Sequence, residues 1–142
     1  MTSQLSKWLL VPVAALALTS CAGGGAAEPD DQAAAEHSFV EVTDPQGSVE
    51  GFVGALDDAE IELCEASNGS WIAEGAVTNP SEERQDYRIY VSFNKNRDTQ
   101  GLVQVDVASV AAGATATWKA EAPISGSDLR CILRVERFAP QG

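Results

Sequence analysis

The sequence predicts an all-β fold, an antiparallel sandwich or barrel of about six or seven strands, between residues 39 and 142. Apolar residues recur at every second position over several short runs, which is typical of half-buried strands. Turn-forming residues separate these runs at nearly regular intervals. The remaining length, about 100 residues, is enough for one modest domain with its own core.

The predicted strands cover residues 60–65, 71–79, 87–93, 102–107, 114–121 and 130–136. The alternation is clearest in the third run, where Tyr87, Ile89, Val91 and Phe93 share one face. Trp71, Trp118 and Phe93 fall on apolar faces and are therefore predicted to lie in the core. Asn68-Gly69 predicts a hairpin turn, Pro80 ends the second strand, and residues 94–101 are predicted as a polar loop.

The segment from residue 48 to residue 57 fits no single element. Apolar side chains recur there at helical spacing, at Val49, Phe52, Val53 and Leu56. Ser48 could cap such a helix, but Gly51 and Gly54 would each weaken it by about 1 kcal/mol relative to alanine. The segment is either a short helix or an irregular first strand.

The amino-terminal residues 1–20 have the three parts of an export signal. Lys7 supplies the positive charge, and an uncharged apolar run from Trp8 to about Leu18 follows it. That run is too short to span a bilayer, which needs about 20 residues. The stretch Leu18-Thr19-Ser20-Cys21 resembles the lipobox of bacterial lipoproteins. The resemblance implies diacylglyceryl transfer to the Cys21 thiol, cleavage before Cys21, and a location on the extracytoplasmic side of the cell membrane.

The cysteine count agrees with this prediction, because an odd cysteine in an exported protein needs an explanation. The chain has Cys21, Cys64 and Cys131. Lipidation of Cys21 leaves an even pair, which can oxidise outside the cytoplasm. Cys64 shares its alternation with Glu60 and Glu62 rather than with apolar residues. The predicted Cys64–Cys131 disulfide therefore requires a bulge near Cys64, or a position at the end of its strand, to turn the sulfur inward.

Residues 21–38 predict a flexible acidic tether, since they are rich in Gly and Ala and lack core-forming side chains. As a coil they would span roughly 20–25 Å. From residue 22 to residue 83 the chain has 15 acidic residues and no Lys or Arg, whereas residues 84–142 have 6 acidic and 8 basic residues. The acidic residues either keep the protein soluble and away from the membrane surface, or they form a site that binds a cation or a basic partner. Nucleic acid is not expected as a partner, because it requires clustered basic residues.

The domain resembles the FxLYD-type domains of bacterial lipoproteins, which are small immunoglobulin-like sandwiches. The resemblance spans roughly residues 60 to 138. It rests on Cys64, the segment WIAEGAVTN at residues 71–79, the strand at 87–93, Gly113, Trp118, and Cys131 with the alternating residues that follow it. It implies an immunoglobulin-like fold and a surface location, but it assigns no biochemical function, because most members of the family have none assigned.

The residues favour a non-catalytic protein without metal or cofactor. His37, the only histidine, lies in the predicted tether, so neither a Ser-His-Asp triad nor a histidine-based zinc site is expected in the domain. The pairs Asp30-Asp31 and Asp57-Asp58 do not fit a calcium loop and are predicted to be solvated. No Cys-x-x-Cys motif is present.

One sheet face offers a candidate binding surface. By alternation Arg88, Tyr90, Lys119 and Arg134 point outward, as does Arg130. We expect either a solvated outer sheet or a basic surface that binds an acidic envelope protein or a glycan. The leading function is therefore a lipid-anchored interaction module of the cell envelope. The alternatives are a small-solute or ion-binding lipoprotein accessory to transport, and, disfavoured, an enzyme.

Overall fold

The computed structural model describes residues 38–141. The predicted signal peptide, Cys21, and all of the predicted tether except Ser38 lie outside the described residues. The described part of the chain is a sandwich of two β-sheets, which confirms the predicted all-β fold.

Residues 38–141 form eight strands, so the six predicted strands are joined by two short ones, β1 and β2. The strands are β1 (Phe39–Glu41), β2 (Val53–Gly54), β3 (Ala59–Ser67), β4 (Ser70–Thr78), β5 (Gln85–Lys95), β6 (Asp98–Val110), β7 (Thr115–Ala122) and β8 (Arg130–Phe138). One sheet has the order β1-β6-β5-β8-β2, and the other has the order β3-β4-β7. All neighbours are antiparallel except β1 and β6, which are parallel.

The core lies between the two sheets and consists of the residues that the alternation assigned to it. Tyr87, Ile89, Val91 and Phe93 of β5 are all fully buried. Trp71 of β4 and Trp118 of β7 are buried in the same cluster. The indole N–H groups are also bonded, since Trp118 Nε1 donates to the Ala76 carbonyl at 3.2 Å and Trp71 Nε1 donates to the Gly126 carbonyl at 3.1 Å.

The turn predictions have mixed outcomes. The Asn68-Gly69 hairpin is confirmed, and both residues have the positive φ values, 50° and 81°, that a two-residue turn of this kind requires. The predicted loop at 94–101 is wrong, because β5 and β6 pair as far as Lys95 and Asp98. A two-residue turn joins them, and polar residues on an exposed hairpin end extend the ladder instead of forming a loop.

The ambiguous segment at 48–57 is neither a regular helix nor a full strand. It contains the two-residue strand β2, followed by a 3-10 helix at Leu56–Asp58. Gly51 has a φ of 75° and interrupts the segment before β2. Each of the two open alternatives is therefore met in part, by a very short strand and by a single 3-10 turn.

The sequence G-x-V-x-N at residues 75–79 has a structural explanation. A Cβ at Gly75 would collide with the Glu60 carbonyl and lie 2.6 Å from Cζ2 of the Trp118 ring, so only glycine fits there. Asn79 is fully buried. Its side-chain amide donates to the Glu83 and Val110 carbonyls at 2.7 and 2.9 Å, and its Oδ1 accepts from the Ser81 amide at 2.9 Å. The side chain thus fastens the loop after β4 to the end of β6.

Candidate functional site

The Cys64–Cys131 disulfide joins the two sheets. Their Cα atoms are 6.1 Å apart, and the bond links β3 of one sheet to β8 of the other. The pairing of β3 with β4 shifts between Ile61 and Leu63, so Glu62 is the extra residue of a bulge. Beyond the bulge Cys64 lies opposite the buried Ala73. The predicted disulfide is confirmed, and of the two predicted ways to turn the Cys64 sulfur inward, the structure has the bulge.

Residues 42–52, here called the strap, run across the outer face of the five-stranded sheet. They connect β1 at one edge of the sheet to β2 at the other. The Thr43 and Asp44 amides donate to Gln104 Oε1 at 3.0 and 2.9 Å, and the Gly47 amide donates to Glu136 Oε1 at 2.7 Å. The strap therefore adds a third layer over part of a face that alternation had placed in solvent.

The strap buries two residues of the predicted binding surface. Tyr90 is 1% exposed, and its hydroxyl donates to the Asp44 carbonyl at 2.7 Å. Burial, together with the charge of Glu136, raises the pKa of Tyr90. The Arg88 side chain, 13% exposed, pairs with Asp106 at 2.8 Å and with Asp44 at 3.2 Å. The prediction that Tyr90 is exposed is wrong, and the Arg88 charge is already neutralised within the domain.

The remaining members of that predicted surface do not lie together. Arg134 is on the same face as Arg88, where its Nε lies 3.0 Å from Glu136 Oε1 and its guanidinium lies 5.9 Å from the Phe52 ring centroid. Lys119 belongs to β7 of the other sheet and pairs with Glu74 at 3.1 Å. Alternation gives the direction of each side chain but not the sheet to which its strand belongs.

A partly buried polar cluster lies at one end of the sandwich. Tyr87 donates to Asp58 Oδ2 at 2.9 Å, and Arg137 Nη1 lies 2.7 Å from the same oxygen. Burial and the hydrogen bond to Asp58 raise the pKa of Tyr87 to about 12. Asp58 was predicted to be solvated, and that prediction is wrong: the 3-10 helix turns its carboxylate toward Arg137. Asp57 is exposed, as predicted.

A groove of about 650 Å³ lies beside this cluster, between the 3-10 helix and β8. Its lining includes Leu56, Leu133 and Val135 together with the charged residues Asp57, Arg134 and Arg137. Sequence reasoning missed this groove, because it lies in the segment that fitted no single element. The available signal was Leu56, an apolar residue directly before two aspartates.

The outer edge of β8 next to the groove is open over most of its length. β2 pairs only with Glu136 and Arg137, and the Ala55 amide donates to the Val135 carbonyl at 2.9 Å. Backbone groups point to alternate sides along a strand. The amide and carbonyl of Leu133 therefore point the same way as the Val135 carbonyl, away from β5. Among residues 38–141 no strand pairs with residues 130–134 on this side.

Exposed apolar side chains lie at this open edge. Five large ones are exposed within the described part of the chain, namely Val40, Val53, Leu56, Ile61 and Ile132. Leu56 lines the groove, Ile132 belongs to β8, and Val53 belongs to β2, the strand that pairs with the end of β8. Exposed apolar residues beside unpaired strand backbone are candidate contacts for a partner.

Residues 38–141 contain neither a metal-binding cluster of side chains nor a membrane-spanning helix. No group of three or more His, Cys, Asp or Glu side chains in that range is arranged to hold a metal ion. None of the helical segments described there has the length and apolar character needed to cross a membrane.

Comparison with known proteins identifies no relative of this chain. The chain matches no protein-family model, no curated protein and no solved structure. The resemblances to the lipobox and to FxLYD-type domains therefore stay predictions from the sequence.

Proposed function

We propose that this chain is a lipid-anchored protein of the cell envelope that displays a non-catalytic interaction module on the extracytoplasmic side of the membrane. The Cys64–Cys131 disulfide is the observation that carries the proposal. Structural disulfides persist mainly in oxidising compartments, so a disulfide between the sheets supports export. Lipidation of Cys21 then accounts for the odd cysteine.

The anchor and the tether support display rather than burial in a larger assembly. Two acyl chains on Cys21 would hold the protein stably, whereas a single chain gives only marginal binding. The acidic residues 22–38 would be repelled by an anionic membrane surface. The β-sandwich would thus stand away from the bilayer, with its edges and faces available to partners.

The proposal is tested by fractionating cells that produce the wild-type chain, Cys21→Ala or Ser20→Ala. We expect wild type and Ser20→Ala in the membrane fraction, because both keep the thiol and a small preceding residue. Cys21→Ala should lose the anchor and leave that fraction. External protease should remove the domain from intact cells, or from spheroplasts where an outer membrane is present. Membrane retention of Cys21→Ala with an unmodified amino terminus would contradict the anchor.

A further inference from the structure

We propose that the open edge of β8 binds an extended, basic segment of a partner protein, which adds a strand to the five-stranded sheet. The inference rests on the proposed function, because it names the surface and the partner class of the interaction module. Three independent features carry it: unpaired backbone, exposed apolar side chains beside it, and the net negative charge of the domain.

The backbone of β8 offers hydrogen bonds that the fold does not use. The Leu133 amide and carbonyl point away from β5, and β2 begins to pair only at Glu136. An extended peptide beside residues 130–134 would satisfy these groups, as in other cases of strand addition. Arg134 is held on the outer sheet face by Glu136 and Phe52, so its guanidinium does not shield the edge.

The apolar side chains supply contacts for alternate residues of the added strand. Successive side chains of a strand point to opposite faces of the sheet. On one side they would meet the groove, which Leu56 and Leu133 line. On the other side they would meet Ile132, which is exposed on the outer face of β8.

The charge around the edge decides the character of the partner. The arginines that line the groove are both paired, Arg134 with Glu136 and Arg137 with Asp58, whereas Asp57 has no partner within residues 38–141. Arg130, at the start of the open edge, is exposed and has no ion-pair partner among residues 38–141. The charge of the whole domain outweighs it, because residues 38–141 have 17 acidic and 8 basic residues. A basic segment complements this surface, and an acidic one is repelled.

The same charges disfavour a second copy of this chain as the occupant. Each copy has 17 acidic and 8 basic residues between residues 38 and 141, so two copies repel each other as they approach. Edge-to-edge dimerisation is therefore the outcome that the charges oppose.

The test uses the mature protein purified in detergent and three fluorescent seven-residue peptides. The first alternates valine and lysine, the second has glutamate in place of lysine, and the third is the first with alternate backbone amides methylated. Fluorescence anisotropy gives the affinities, and amide exchange locates the site. We expect the valine–lysine peptide to bind and to protect the outward-pointing amides of Cys131 and Leu133 from exchange. Binding should weaken as the salt concentration rises. The other two peptides should bind at least about tenfold more weakly.

Two variants and a matched control locate the contact. Leu56→Ser and Asp57→Lys should each lower the affinity for the valine–lysine peptide by about fivefold or more. Val40→Ser, which removes a similarly exposed apolar side chain from the opposite edge of the sheet, should change the affinity less than about twofold. Leu56 and Val40 are 54% and 62% exposed, so both substitutions should leave the fold intact. Unfolding curves check this.

Several results would overturn the proposal. They are equal binding of the methylated peptide, tighter binding of the glutamate peptide, equal losses in Val40→Ser and Leu56→Ser, or no binding at about 1 mM peptide. A concentration-dependent dimer formed through this edge would overturn it in favour of a second copy. Failure of peptide binding in a protein lipidated at Cys21 refutes the docking edge alone. Peptide binding by a chain unmodified at Cys21 refutes the anchor alone.

Discussion

Removing the disulfide should cost the domain a large part of its stability. The bond joins residues 67 positions apart. In the chain-entropy model, a loop of that length corresponds to about 4 kcal/mol of stabilisation. Domains of this size are typically stable by about 5–15 kcal/mol. Cys64→Ala with Cys131→Ala should therefore lower the free energy of unfolding by about 4 kcal/mol, because both cysteines are only partly buried and lose little packing.

Urea unfolding followed by tryptophan fluorescence measures this loss, since Trp71 and Trp118 are buried in the core. With a slope of about 2 kcal/mol per M, the midpoint should fall by about 2 M. Wild-type protein in a reducing buffer should match the double variant, and the variant itself should not respond to the reductant. Equal midpoints for oxidised wild type and the double variant would refute the reasoning that the bond constrains the unfolded chain.

Three further predictions concern the buried residues. Asn79→Ala should lower the free energy of unfolding by about 3 kcal/mol, because the Glu83 and Val110 carbonyls lose their donor; a loss below about 1 kcal/mol in chemical unfolding would contradict this. Gly75→Ala should lower the free energy of unfolding by about 3 kcal/mol, since the new methyl group would collide with the Trp118 ring. It should also alter the near-ultraviolet circular dichroism of Trp118. An unchanged spectrum and unfolding midpoint would contradict this, because they would mean that the strands accommodate the methyl group without cost. The chain has two tyrosines, Tyr87 and Tyr90, and both have raised pKa values. The pKa of Tyr87 is about 12 instead of 10.0. The folded protein should therefore show little tyrosinate absorbance near pH 10. Because the unfolded chain loses these protons first, stability should fall as the pH rises from about 10 to about 12, and Tyr87→Phe should make that decline shallower.

The sequence was sufficient to predict the strands because their side chains alternate. The strand from Tyr87 to Phe93 illustrates this, since the side chain at every second position, beginning with Tyr87, is fully buried. An irregularity near Cys64, either a bulge or a strand end, was also predictable, because a disulfide to Cys131 requires Cys64 to face inward although its neighbours are charged. In both cases the information is local, or it is carried by a single covalent constraint.

The strap was not predictable from the same signals. It lacks a strand period, and its hydrogen bonds connect residues far apart in the chain, such as Asp44 and Gln104. Tyr90 was therefore assigned to solvent, because alternation gives the face of a side chain and not the presence of a third layer. Lys119 and Arg88 were grouped for a similar reason, since parity does not assign β5 and β7 to their sheets.

The candidate groove depends on both kinds of missing information. Leu56 and Asp57 lie in the segment whose apolar spacing favoured a helix, and their relation to β8 is set by the pairing of β2 with Glu136 and Arg137. Only the finished sheet order shows that the rest of the β8 edge is open.

The intact mass of the protein extracted from membranes tests the lipid anchor and the disulfide together. We expect a mature chain that begins at Cys21, carries a diacylglyceryl group there, and lacks the two hydrogens that a Cys64–Cys131 bond removes. A membrane-extracted chain that retains residues 1–20, or that has free thiols at positions 21, 64 and 131, would contradict this expectation.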